Sequence, residues 1–264
     1  MALRVMTWNI RNGGRDGDDP TRLERVLAVV DAHRPDVLAV QELRGFRRAG
    51  RMRSVAEALG MRAYLAREWF GQPVAVLVRR PWRVTAVAPV LRPFHHAAQR
   101  VRVATDAGRL TVVATHLQPY SGGRRLLEAG WLVAAAPPTG LTLLAGDLNT
   151  LDPWTPHTGR VDRLPEQYRG RHLRPDGTVD TRAVALLAQA GYVDLFRAAG
   201  TGPGETAPTS RGGGAEFSGM RLDYLLASPE LARLARTCRV VRGGEAESAS
   251  DHYPVLAELD LGPA

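Results

Sequence analysis

Six apolar, strand-like runs in this sequence lead into or border residues that can bind cations or move protons. Val5 to Trp8 is followed by Asn9, Val37 to Val40 by Gln41-Glu42, Leu110 to Thr115 by His116, and Leu141 to Gly146 by Asp147 and Asn149; Asp223 lies within Arg221-Leu222-Asp223-Tyr224, and Ser250-Asp251-His252 precedes a last apolar run. A lone Asp or Asn at a strand end is most often a turn former or a helix cap. Six strand ends carrying this set make a different pattern, because side chains at strand ends can converge on one rim. Hard cations such as Mg²⁺ or Mn²⁺ prefer carboxylate and amide oxygens, which Asn9, Glu42 and Asp251 supply, with Asp147 a further candidate. His116 and His252 suit proton transfer or hydrogen bonding to phosphoryl oxygens. An oxygen-rich set with two histidines and no cysteine argues against a structural zinc site.

The elements that must position these residues read as a mixture of strands and helices. The spacing predicts strands over residues 3–10, 36–41, 62–66, 74–79, 83–90, 100–104, 110–115, 141–145, 221–227, 237–241 and 255–259. Helical spacing covers 20–33, 54–59 (ended by Gly60), 124–135 and 181–190. The Pro-, Gly- and Arg-rich stretch from Asp152 to Asp180 is too long for an idle connection and is a candidate substrate-facing loop. With no short-period repeat and no long linker, the reading is one α/β domain over 1–264 with parallel and antiparallel pairing.

Composition bounds the partners. The chain has 264 residues, 44% hydrophobic and 23% charged, enough for a substantial core. No apolar run approaches the roughly 20 residues of a membrane span, and no signal core follows the N-terminus, so the expectation is a cytoplasmic protein. The single cysteine, Cys238, is expected to serve packing. The net charge of +8 favours anionic partners, yet the chain has no lysine and 35 arginines, a bias that GC-rich codons also produce.

Thr7-Trp8-Asn9-Ile10, Gln41-Glu42, Thr115-His116-Leu117, Gly146-Asp147-Leu148-Asn149, Arg221-Leu222-Asp223-Tyr224 and Ser250-Asp251-His252 resemble, in this order, the signature segments of the endonuclease/exonuclease/phosphatase superfamily. The resemblance implies a four-layer α/β sandwich of the DNase I type, two mixed β-sheets packed face to face with helices outside. It also implies a Mg²⁺- or Mn²⁺-dependent phosphoester hydrolase. In that scheme Asn9 and Glu42 hold the metal, Asp251 completes its environment, and Asp147 orients or deprotonates the attacking water. Asn149 hydrogen-bonds a phosphoryl oxygen, Asp223 pairs with His252, and His116 stabilises the phosphate or assists the leaving group. Thr-His-Leu resembles the branch with DNase I-like nucleases, sphingomyelinases, inositol phosphatases and tyrosyl-DNA phosphodiesterases rather than the abasic-site endonuclease and exonuclease III branch.

Two segments depart from the family pattern. Gln72, in Gly71-Gln72-Pro73, stands where relatives carry small or acidic residues that buttress the histidine, and His95-His96 stands near a common Arg-Gly entry to a strand. His33, His95, His96, His157 and His172 lack motif context and read as core or surface residues. Trp154, Tyr168 and Phe217 interleave with arginines in the flanking loops, either stacking bases or anchoring the loop. The substrate is a phosphorylated one, nucleic acid or a small metabolite or lipid headgroup; no protein partner is predicted. A catalytically silent nucleic-acid-binding module is the competing class, and it requires a missing site residue. A serine hydrolase is excluded by the lack of a G-x-S-x-G elbow.

Overall fold

The computed structural model describes residues 2–17, 20–48, 50–66, 68 and 71–264. Among these, thirteen strands form two sheets: β1 (Leu3–Asn9), β2 (Val37–Gln41), β3 (Met61–Ala66), β4 (Val74–Arg79), β5 (Val84–Pro89), β6 (Ala98–Thr105), β7 (Gly108–His116), β8 (Leu141–Asp147), β9 (Val193–Asp194), β10 (Gly200–Thr201), β11 (Asp223–Ala227), β12 (Ala235–Val240) and β13 (Val255–Leu259). One sheet runs β10-β12-β13-β1-β2-β4-β3 and the other β5-β6-β7-β8-β11-β9. Both are mixed: β1 pairs in parallel with β2, and β7 with β8, while the remaining neighbours are antiparallel except β10 and β12.

Strand alternation sorts side chains between layers. Val112, Ala114, Leu143, Ala145, Leu225 and Ala227 point into the core shared with the seven-stranded sheet. Their immediate neighbours Val113, Leu144, Tyr224 and Leu226 point the other way, against helices Gly122–Ala135 and Arg182–Gln189. On the outer side of the seven-stranded sheet, Trp8, Leu38, Val40 and Leu77 meet Val26 and Val30 of helix Thr21–His33 and Val55 of helix Arg51–Ala58. Strand β2 is buried along its whole length, which is why it reads as an unbroken apolar run. Each such Val or Leu side chain stabilises the fold by roughly 1.5–3 kcal/mol. Two mixed sheets flanked by helices are thus the observed architecture.

The central strands approach closely beside the chemistry. A Cβ on Gly146 would lie 2.0 Å from the Thr115 carbonyl oxygen of the neighbouring β7, so only glycine fits there. Helix Gly122–Ala135 starts from Ser121, whose hydroxyl accepts from the Arg124 N–H, and so begins two residues earlier than the apolar spacing indicates. Helix Arg51–Ala58 begins three residues earlier than expected.

The 152–180 stretch is structured: short helices Thr158–Asp162 and Glu166–Arg169 close over their own apolar cluster of Leu151, Val161, Leu164, Ala207, Met220 and Leu222. His157 and His172, read as core or surface residues, are both buried, and the His157 ring lies 2.8 Å from the Asp152 carbonyl. Trp154 packs on the helical layer with the Arg197 guanidinium over its ring, which favours its anchoring role. Cys238 is buried on β12, and burial pushes its thiol up to about 12, consistent with packing.

Candidate active site

Topology brings the motif residues to one edge. Because β1 and β2 are parallel, Asn9 and Gln41 end side by side; because β7 and β8 are parallel, His116 stands opposite Asp147. Antiparallel β11 starts with Asp223 opposite Asp147, and antiparallel β13 is entered from Asp251-His252 beside the end of β1. Face-to-face packing of β1 with β8 and β11 then joins the two sheet edges into a single rim.

Hydrogen bonds tie this rim together. The Trp8 indole N–H donates to the His252 carbonyl at 2.7 Å, and the Ser250 hydroxyl donates to the Asn9 carbonyl at 2.7 Å. Arg22, buried on helix Thr21–His33, donates to the carbonyls of Ile10, Arg11, Arg15 and Ala249, clamping the loop after β1 to the loop before β13. Arg22 was read only as part of a helix, and a buried arginine leaves no periodic signal.

Asp147 is the hub. The Asn9 side-chain amide donates at 3.0 Å to Asp147 Oδ2 and at 3.0 Å to Glu42 Oε1. The Asn149 backbone N–H donates to Asp147 Oδ1 at 2.8 Å, and one Asn149 amide hydrogen goes to the Leu117 carbonyl at 3.0 Å, leaving the other uncommitted. His116 Nε2 and His252 Nε2 lie 3.5 and 3.8 Å from Asp147 Oδ2. His252 Nδ1 donates to Asp223 Oδ2 at 2.7 Å. Two non-glycine residues of the rim, Glu42 (φ 58°) and Asn149 (φ 49°), adopt the left-handed conformation, a strain that hydrogen bonds to both residues hold in place.

Burial and neighbouring charge push the two histidines apart. Burial works against a charge on His252, but the carboxylates of Asp223 and Asp147 outweigh it and hold the imidazole well above its ordinary pKa. Burial lowers His116 to about 3, helped by repulsion from His252 and His95. The pair therefore presents one imidazolium and one neutral ring. Burial pushes the Asp147 carboxyl up to about 7, opposed first by His252.

All eight residues singled out in the sequence lie on this rim: Asn9, Glu42, His116, Asp147, Asn149, Asp223, Asp251 and His252. The ring beside His116 is His96, stacked at 4.1 Å and 20°, in the buttressing position considered for Gln72. His96 lacked motif context in the sequence. Phe217 packs edge-on against His252 at 4.9 Å.

The donor chemistry fits a hard divalent cation. Glu42 and Asp251 are close enough for Glu42 to add, after burial, to the upward push on the Asp251 carboxyl, and the Arg11 guanidinium lies 3.6 Å from Asp251. Oxygen ligands with unbalanced negative charge are what such ions select. Candidate ligand atoms of Asp147, Asp223 and His252 also lie within 4.8 Å of one another, although the Asp223–His252 hydrogen bond occupies two of the three residues.

The two-sheet sandwich with helices outside is a DNase I-like fold. The model of the Endonuclease/Exonuclease/phosphatase family matches residues 6–252, and the chain belongs to that family. No curated protein is significantly similar to it in sequence. Among solved structures it is similar to an AP endonuclease from Archaeoglobus fulgidus (19% identity, 98% of this chain and 99% of that chain, TM-score 0.71). It is also similar to the 3′ phosphatase NExo from Neisseria bound to a product DNA hairpin (20% identity, 98% and 100%, TM-score 0.67). A truncated TDP2 from Caenorhabditis elegans matches at 19% identity over 98% and 97% of the chains, with a TM-score of 0.64.

Proposed function

We propose that this protein hydrolyses phosphoester bonds with the help of Mg²⁺ or Mn²⁺. The observation that carries the reading is the convergence on Asp147 of Asn9, Asn149, His116 and an imidazolium, His252, held by Asp223. Glu42, Asn9 and Asp251 would hold the cation. The chemistry supplied by a cation bound there is Lewis-acid polarisation of a phosphoryl oxygen. Asp147, raised towards neutral pH, accepts the proton of the attacking water as a new P–O bond forms opposite the breaking ester bond. His252 supplies positive charge next to the oxygens on which negative charge grows, and the free amide hydrogen of Asn149 donates to one of them. His116, kept neutral, hydrogen-bonds the departing oxygen rather than carrying a second charge. No member of the set is missing, which disfavours a silent binding module.

A net charge of +8 and the product DNA held by the Neisseria 3′ phosphatase support a nucleic-acid or nucleotide substrate over a lipid headgroup. The direct test is turnover of bis-p-nitrophenyl phosphate, p-nitrophenyl phosphate and single- and double-stranded DNA and RNA with Mg²⁺ and Mn²⁺. Metal-dependent hydrolysis abolished in both Asp147→Asn and His252→Ala is expected; activity surviving both substitutions refutes the assignment.

A further inference from the structure

A cleft of about 580 Å³ lies beside His96, with Leu91, Arg92, Phe94, His95 and Arg124 also among its walls. Its connection to the chemistry is a chain of rings. His116, 3.5 Å from Asp147, stacks on His96 at 4.1 Å; His96 meets His95 edge-on at 4.6 Å; His95 meets Tyr120 edge-on at 6.1 Å. The Arg171 guanidinium then lies over Tyr120 at 5.2 Å and over Tyr168 at 4.7 Å. Tyr120 and Leu91 are 59% and 83% exposed.

Structural packing accounts for part of this chain but leaves its centre unfinished. Nδ1 of His96 and Nδ1 of His116 are both buried, on residues 8% and 3% exposed, and neither has a hydrogen-bond partner among the described residues. Buried polar atoms ordinarily find partners, and an orphan beside a cleft marks a place where a bound molecule supplies one. Burial lowers His96 to about 2 and His116 to about 3, so the stacked pair is neutral and its faces suit an uncharged planar system rather than a phosphate. Arg92 and Arg124 stand among the walls, and guanidinium planes also stack on π faces.

We propose that the cleft walled by His95 and His96 is a subsite for a planar π group of the phosphoester, connected to the proposed catalytic rim through the His96–His116 stack, with His96 as its specificity-determining residue. The inference rests on the phosphoesterase reading of the rim. Such a group has two sources, a nucleobase or an aryl leaving group; a base offers ring and carbonyl atoms to the orphaned nitrogen of His96, whereas an aryl group offers its face alone.

Calorimetric titration of the Mg²⁺-loaded protein with thymidine 5′-monophosphate, phenyl phosphate and glycerol 3-phosphate tests this without turnover. At least one planar ligand is expected to bind about tenfold or more tightly than glycerol 3-phosphate. Stronger binding of the thymidine compound identifies a base, and of phenyl phosphate an aryl group. His96→Phe should retain most of the preference and His96→Leu should lose it. Arg92→Ala, at an exposed position on the wall of the cleft where folding is not at stake, should reduce it several-fold. Equal affinity for all three ligands, no binding by any of them, or a preference that survives His96→Leu overturns the subsite. Hydrolysis of bis-p-nitrophenyl phosphate by the unaltered protein, measured in parallel, tells failure of the subsite apart from failure of the phosphoesterase reading.

Discussion

Asp223 Oδ2 accepts the Nδ1–H of His252 at 2.7 Å, and its other oxygen, Oδ1, is buried without a partner among the described residues. This pairing fixes the tautomer and points Nε2 towards Asp147, 3.8 Å away. Asp223 is also the largest attraction holding His252 above its ordinary pKa, against burial. Replacing it with Asn keeps the shape and removes the charge. Asp223→Asn is expected to lower kcat by about 10²–10⁴-fold with a smaller change in KM, and to lower the His252 pKa measured by NMR. Wild-type kcat would show that the pair has no part in the reaction.

The cation site makes a separable prediction. If Glu42, Asn9 and Asp251 hold the metal, Glu42→Gln removes a charged ligand and should weaken Mg²⁺ or Mn²⁺ binding by about 10–100-fold, while Asp223→Asn leaves affinity within a few-fold. Calorimetric titration of the metal measures both. The reverse order of effects would place the cation instead among Asp147, Asp223 and His252, whose ligand atoms are also close together.

Much of the site was legible because its residues sit at the ends of apolar strands, and strand ends are visible as breaks in hydrophobic runs. Gly146-Asp147-Leu148-Asn149 shows this well: the glycine is required by the Thr115 carbonyl, Asp147 ends β8, and Asn149 takes the left-handed turn that follows. His96 was missed because it precedes β6 and belongs to no run. Register carries part of the missing information, since the β6–β7 hairpin pairs Thr105 with Gly108 and Ala98 with Thr115, and counting back from that turn sets Ala97 opposite His116, one residue from His96. The very short strands β9 and β10 were missed for another reason: two residues are too few to show alternation. The folded 152–180 segment, polar and Pro-rich on the surface of the sequence, buries only scattered apolar residues and so reads as a loop.

Arg22 shows how a distant residue sets the rim. Its guanidinium donates to four carbonyls on either side of the Asn9 and Asp251 segments and pairs with Asp16 at 3.0 Å. Arg22→Met would fill the space with apolar atoms while removing the guanidinium donor from the Arg11, Arg15 and Ala249 carbonyls, at a cost of about 2–4 kcal/mol. Denaturant titration should report that loss, and metal affinity should fall with it. Lysine retains the charge but not the planar fork, so Arg22→Lys should be intermediate. Unchanged stability of Arg22→Met would mean that water replaces the clamp.

Glu247 joins the same neighbourhood to solution pH. Burial disfavours its charge, but hydrogen bonds from the Ser210 and Tyr253 hydroxyls and the Gly243 N–H outweigh it and hold the carboxyl at about 2. Its folded-state pKa is thus depressed below the ordinary carboxylate value of about 4.3. A group shifted in this direction stabilises the fold fully above its unfolded pKa, and the contribution is lost as pH falls through the folded pKa. Glu247→Gln should therefore unfold at lower denaturant than the wild type at pH 7, with the gap shrinking as pH falls from about 4.5 towards 2. The contacts lie on the segment that leads to Ser250 and Asp251, with Arg211 N–H also bonded to the Glu247 carbonyl, so the variant should lose activity alongside stability. A stability difference independent of pH between 2 and 7 would show that the hydrogen bonds, and not the charge, carry the effect.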